Sequence, residues 1–147
     1  MQTMARRAAI LITGLVGLTA VAYPTVAAPA GEQVVLTAKL NGRYLHTGAS
    51  GSGTAKVTLN VNKVCWRLTW SGVGKVAESG IHKAPPPPAG RRKHSVLPFA
   101  AVTRRRGCAP ASPATIKAIS AKPSSYYVDI HSKKYPKGAI GGRLRFA

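Results

Sequence analysis

Two short alternating runs carry the residues best suited to chemistry. Val76–Lys83 holds Glu78 and His82, and Tyr126–Ser132 holds Asp129 and His131. In a strand, side chains two apart point the same way. His82 and His131 are therefore expected on faces turned away from the apolar side, at the surface, in company with Glu78 and Asp129. If the two strands are neighbours, two imidazoles with one or two carboxylates can bind Cu²⁺ or Zn²⁺. The plainer expectation is that both histidines make ordinary hydrogen bonds that fix loop ends, with no cofactor.

The other chemistry is electrostatic. Lys plus Arg number 22 against 3 acidic residues, a formal charge of +19. Of those bases only Arg6 and Arg7 precede residue 31, so nearly all the charge belongs to the rest of the chain. Two runs concentrate it: Arg91-Arg92-Lys93 and Arg104-Arg105-Arg106. The segment between them, Ser95 to Thr103, spans about 30 Å if extended, which places the runs at opposite ends of the domain unless Pro98 bends it. Such a surface attracts anions of any kind. The sequence has no basic-aromatic motif of a stacking sheet, which argues against nucleic acid. With no Gly-x-Ser-x-Gly elbow and no glycine-rich phosphate cradle, it offers nothing that favours an enzyme. The partners left are an unidentified protein or an acidic polymer of the cell envelope.

That compartment is read from the N-terminus. Arg6-Arg7, the uncharged and mostly apolar run Ala8 to Ala22, and the small residues Ala28-Pro29-Ala30 have the three-part layout of a signal peptide. The run is shorter than the roughly 20 apolar residues of a membrane span, so membrane contact is expected only if the segment stays uncleaved. Residues 1–30 are assigned to targeting and 31–147 to one domain, secreted, periplasmic or envelope-held. In an oxidising compartment the two cysteines, Cys65 and Cys108, are expected to pair. Closing the loop between them contributes about 4 kcal/mol.

The elements that position these residues are mostly strands. Gln33–Leu40 and Thr54–Asn62 alternate, the latter with Ala55, Val57, Leu59 and Val61 on its apolar side. Lys63–Trp70 alternates too, with Trp66 and Trp70 inward and Cys65 outward, beside Arg67 and Thr69. A hairpin is expected at Asn60–Lys63. Val76–Lys83 is a weaker strand. Pro85 to Pro88 make a stiff extended loop. Ser112 and Pro113 open a short helix through Ile116 and Ile119, which Pro123 stops. Tyr126–Phe146 is a hairpin that turns at Lys133–Gly138, with Ile140, Gly142, Leu144 and Phe146 on its inner face. About seven short strands and one helix predict an antiparallel Greek-key β-sandwich.

The final hairpin also carries a resemblance. Tyr-Tyr-Val-Asp-Ile-His-Ser from Tyr126, then Tyr-Pro-Lys-Gly-Ala-Ile-Gly-Gly-Arg-Leu from Tyr135, is similar to the signature of the CHRD domain, which runs roughly Tyr-Val-Asn-Val-His-Thr and then Pro-Gly-Gly-Glu-Ile-Arg-Gly-Gln-Leu. Ser79–Pro85 resembles that family's Ala-His-Ile-His-Lys-Gly-Pro. Leu36–Leu40, Gly53-Thr54-Ala55 and Ile116–Tyr127 fit it as well, so the likeness runs over about residues 33 to 147. The resemblance implies an immunoglobulin-like or superoxide-dismutase-like barrel and a non-enzymatic binding or structural role. Gly80 replaces the first His of His-x-His, Gly141 an Arg, Arg143 a Gln and Ala139 a Glu. The loss of a histidine at position 80 argues against superoxide-dismutase chemistry, which needs a redox metal with several imidazoles.

Overall fold

The computed structural model describes residues 33–84, 96–99 and 104–147. Residues 1–30, expected above to be a targeting segment, the proline loop 85–88 and Arg91-Arg92-Lys93 lie outside the described residues. The strands are β1 (Val34–Asn41), β2 (Ser52–Leu59), β3 (Lys63–Ser71), β4 (Val76–Lys83), β5 (Leu97–Pro98), β6 (Arg106–Pro110), β7 (Tyr126–Ser132), β8 (Ile140–Arg143) and β9 (Arg145–Phe146). Among the described residues one α-helix, α1 (Pro113–Ala121), lies between β6 and β7. Every strand pairing is antiparallel. The fold is the all-β sandwich that the alternating runs predict.

The strands form one path, β5-β4-β7-β8-β1-β2-β3-β6, with β9 added against β1. It divides naturally into a β5-β4-β7-β8 half and a β1-β2-β3-β6 half. The join is thin: β8 meets β1 at the pair Asn41 and Gly141. The chain reinforces it by changing partner. Arg143 pairs with Tyr127 of β7, and two residues later Arg145 pairs with Thr37 of β1. The last run thus stitches the two halves together, which explains why it is broken at Leu144.

Alternation explains the core. Leu36, Ala38 and Leu40 of β1, Ala55, Val57 and Leu59 of β2, and Val64, Trp66 and Leu68 of β3 all turn inward and are buried. Ile81 of β4, Val128 and Ile130 of β7, and Ile140 join them in one apolar cluster. The ends of the sheet meet there: Phe99, just past β5, stacks on Trp66 of β3 with ring centroids 4.7 Å apart and planes 12° from parallel. Gly107, opposite Trp66 on β6, gives the indole its space, since a Cβ there would lie 2.6 Å from Trp66 Cζ2. Trp70 is only half-buried.

The disulfide is formed, between directly paired residues of β3 and β6, Cys65 and Cys108, with Cα atoms 4.0 Å apart. It lies on the outer face, as the alternation of β3 requires. The segment it holds is itself a strand, β6, where the sequence signals only a basic run. The helix begins as expected, with Ser112 Oγ accepting from Thr115 N at 3.1 Å.

Some expectations are corrected. Val61 is 62% exposed because it falls in the β2–β3 turn, which Asn60 N closes on Lys63 O. Phe146 is 61% exposed although its cross-strand partner Leu36 is buried, so it keeps the inward side of the sheet but lies beyond the packed core. Of the strand expected over Ser95 to Thr103, only Leu97–Pro98 is paired among the described residues, as suits a segment whose proline has no N–H to donate.

Phe99→Ala is expected to lower unfolding free energy by about 3–5 kcal/mol, because the clasp between the ends of the sheet is emptied. Phe146→Ala is expected to change it by less than about 0.5 kcal/mol. Urea titrations of the two variants check this, and equal losses would contradict the closure.

Candidate functional site

Register brings the sequence-predicted residues together. β4 and β7 are neighbours, with Glu78 opposite His131, Gly80 opposite Asp129 and His82 opposite Tyr127. All six therefore face the same way. Because Gly80 has no side chain, Asp129 has no direct cross-strand partner at its own level. The imidazoles on either side reach it instead. His82 Nε2 lies 2.9 Å from Asp129 Oδ1, and His131 Nε2 lies 3.0 Å from Asp129 Oδ2. The second contact is a hydrogen bond. The first is an ion-pair contact between the ring nitrogen and the carboxylate.

The expectation of a surface site is corrected. His82 and Asp129 are each 3% exposed and His131 6%. The second face of β7 is covered because a distant loop folds onto it. The 3₁₀ turn Arg43–Leu45 lays Tyr44 against Tyr127, centroids 5.6 Å apart. Tyr127 in turn stacks on His82 at 5.2 Å. Leu45 fills the space over Gly141: a Cβ at Gly141 would sit 2.8 Å from Leu45 Cδ2. Nothing in the local pattern of β7 signals this cover, since it comes from the β1–β2 connection. The apolar Leu45 and the aromatic Tyr44 in a loop otherwise rich in Gly and Ser are the signal that could have found it.

Burial sets the electrostatics. Desolvation alone would raise the Asp129 carboxyl, but the hydrogen bond from His131, the contact with His82 and the charge of both rings hold it below the ordinary carboxylate range. Burial would likewise lower His131. The hydrogen bond to Asp129 and its charge, the Pro136 carbonyl and the charge of Glu78 together raise it instead. His131 Nδ1 lies 3.0 Å from the Pro136 oxygen. Carbonyl and carboxylate both accept only, so both ring nitrogens donate and His131 is an imidazolium. Tyr127, pushed up by burial and then by the charges of Asp129 and Tyr44, stays a neutral phenol.

Three donor atoms, one each from His82, Asp129 and His131, lie within 4.8 Å of one another. The Pro136 carbonyl fixes the His131 ring so that Nε2 is the nitrogen presented, the usual way a ligating imidazole is oriented, and a metal would bind there by displacing the Nε2 proton. His82 Nδ1 and Tyr44 Oη are buried and have no hydrogen-bond partner among the described residues. This donor set suits Zn²⁺ or Cu²⁺. Glu78, half-buried, adds charge beside His131 without belonging to the convergent three.

The basic run Arg104-Arg105-Arg106 is not a single patch. Arg104 gives its carbonyl to Trp66 Nε1. Arg105 stacks its guanidinium over Trp70 at 4.1 Å and donates to the Trp70 carbonyl. Arg106 faces outward from β6, opposite Arg67.

Stability should have a plateau with two falling sides. The contribution of Asp129 is present above its ordinary value of 3.8 and is lost as pH falls through its lowered folded value. The contribution of His131 is complete below 6.5 and is lost as pH rises through its raised folded value. Asp129→Asn is expected to lower stability on the plateau by about 3–5 kcal/mol, because a buried cation is left unpaired. It should also flatten both sides. Chemical denaturation across pH measures this; an unchanged pH profile would show that the pair does not set it.

Among curated proteins and solved structures, none matches the chain. The sequence pattern of the CHRD domain does, over residues 27–144, which takes in every described strand except β9. The paired β4 and β7, which hold the buried His–Asp–His group, are the two elements in which the resemblance to that family was most specific, and the chain belongs to the CHRD domain family.

Proposed function

We propose that this chain is an exported, non-enzymatic CHRD module that works at the cell envelope by binding, and that its binding centre is a Zn²⁺ or Cu²⁺ site at His82, Asp129 and His131. The observation that carries it is the convergence of three buried donors from two adjacent strands. A hydrogen-bonding histidine needs no second imidazole on the same carboxylate. Two imidazoles sharing one carboxylate, with one ring oriented by a backbone carbonyl, have the composition of a three-ligand centre.

Export is supported by the disulfide and by the layout of the N-terminal segment. Among the described residues no helix is long and apolar enough to cross a membrane. The non-enzymatic reading is supported by the state of the carboxylate: Asp129 is buried and engaged by both imidazoles, so it is poorly placed to take a proton from a substrate in solution.

Thermal melts with and without metal test the centre. At metal concentrations near 100 times Kd, the native protein should gain about 2.7 kcal/mol, seen as a rise in Tm. His82→Ala and His131→Ala should each lose that rise while keeping the strand signature in circular dichroism. A native protein whose Tm ignores both Zn²⁺ and Cu²⁺ would remove the metal from the proposal.

A further inference from the structure

The outer face of the other half of the sheet carries an arrangement that the buried centre does not explain. Thr37 of β1 pairs with Arg145 of β9 on one side and with Lys56 of β2 on the other. Lys56 pairs with Arg67 of β3, and Arg67 with Arg106 of β6. One straight row across five strands therefore reads Arg145, Thr37, Lys56, Arg67, Arg106. All four cations are exposed. At about 4.8 Å between strands the row spans about 19 Å.

Like charges directly opposite each other destabilise a sheet, and here Lys56, Arg67 and Arg106 follow one another without interruption. The acidic side chains among the described residues, Glu78 and Asp129, belong to β4 and β7 in the other half of the sheet. Such a row is stable at lower cost when an external anion lies along it.

The neighbouring rows say what else that anion carries. Next to the cations come Lys39, Thr54 and Thr69, with the two threonine hydroxyls 2.8 Å apart. Beyond them are Ser52 and Ser71, hydroxyls 3.3 Å apart. Shallow depressions run between the rows. One of about 290 Å³ is lined by Thr37, Lys39, Thr54, Lys56 and Arg145, and one of about 320 Å³ by Lys56, Thr58 and Arg67. Guanidinium forks match carboxylates in two-point contacts, and hydroxyls match hydroxyls. The outward positions of β1, β2, β3 and β6 hold no aromatic ring on which a nucleobase could stack.

We propose that this face binds a linear acidic glycan, laid across the strands with its carboxylates on Arg145, Lys56, Arg67 and Arg106 and its hydroxyls on the threonine and serine rows. The surface is independent of the buried His–Asp–His group.

Binding of the disulfide-bonded protein to immobilised polygalacturonate in about 0.1 M salt, where screening acts beyond about 10 Å, tests it. Changing Lys56, Arg67, Arg106 and Arg145 together to Ser is expected to weaken binding by about tenfold or more and to leave Tm equal or higher, since repulsion is removed. Changing Lys75, Lys117, Lys122 and Lys133 to Ser removes the same charge from elsewhere and should weaken it by less than about twofold. Equal losses in the two variants, or no loss in the first, would overturn the row as the site. Tighter binding of single-stranded DNA than of polygalacturonate, lost with the same four residues, would overturn the glycan. His82→Ala should bind the polymer as the native protein does; a matching loss there would overturn the independence of the two sites.

Discussion

Register is the constraint on which everything else rests. If β3 slipped by one residue against β2, Trp66 and Leu68 would face water while Cys65 and Arg67 entered the core. The alternation of β1, β2 and β3 fixes their pairing because one face of each is wholly apolar. The cystine between Cys65 and Cys108 fixes β6 against β3 in the same way, covalently and at a single level. From these pairings follow both the stacking of Trp66 on Phe99 and the line of cations on the opposite face. The same constraint in the other half aligns β4 with β7, and so decides which histidines meet Asp129.

The buried carboxylate illustrates how register turns into chemistry. Gly80, Asp129 and Gly141 form one row across β4, β7 and β8. In the pattern that the chain resembles, those places carry His, Asn and Arg. Three departures scattered over the sequence thus fall side by side in space. Two bulky polar side chains are replaced by glycine, and an amide by a carboxylate. Leu45 occupies the room over Gly141, and His82 and His131 close on the charge from above and below. The site is reorganised around an anion, and it remains closed to water because a loop from β1 supplies its cover.

Much of this was legible in the sequence, and the boundary is physical. Val57, Trp66 and Ile130 were readable as core because burial on one face imposes a period of two. The cystine was readable from compartment and count, and the helix start from Ser112 and Pro113. The pairing of His82 with Asp129 could be posed only as a condition, since alternation gives a direction but not a neighbour. Burial of β7 on both faces was beyond reach because its cover, Tyr44 and Leu45, is contributed from far away in the chain. β6 was missed because Arg106, Gly107 and Pro110 have little strand propensity of their own; the segment is extended because β3 and the cystine hold it so. Phe146 shares the face that alternation assigns to it, since it pairs with the buried Leu36, but alternation gives a direction and not a cover, and the ring is exposed.

The terminal members of the strand path have a consequence for behaviour in a crowd. β5 is two residues long and contains Pro98, and β6 runs from a cation at Arg106 to Pro110. Neither offers a long, flat row of free amides and carbonyls to a second molecule, and open sheets without such protection template one another into fibrils. A chain built this way can be concentrated on a polymer or at a wall without zipping edge to edge into cross-β aggregates.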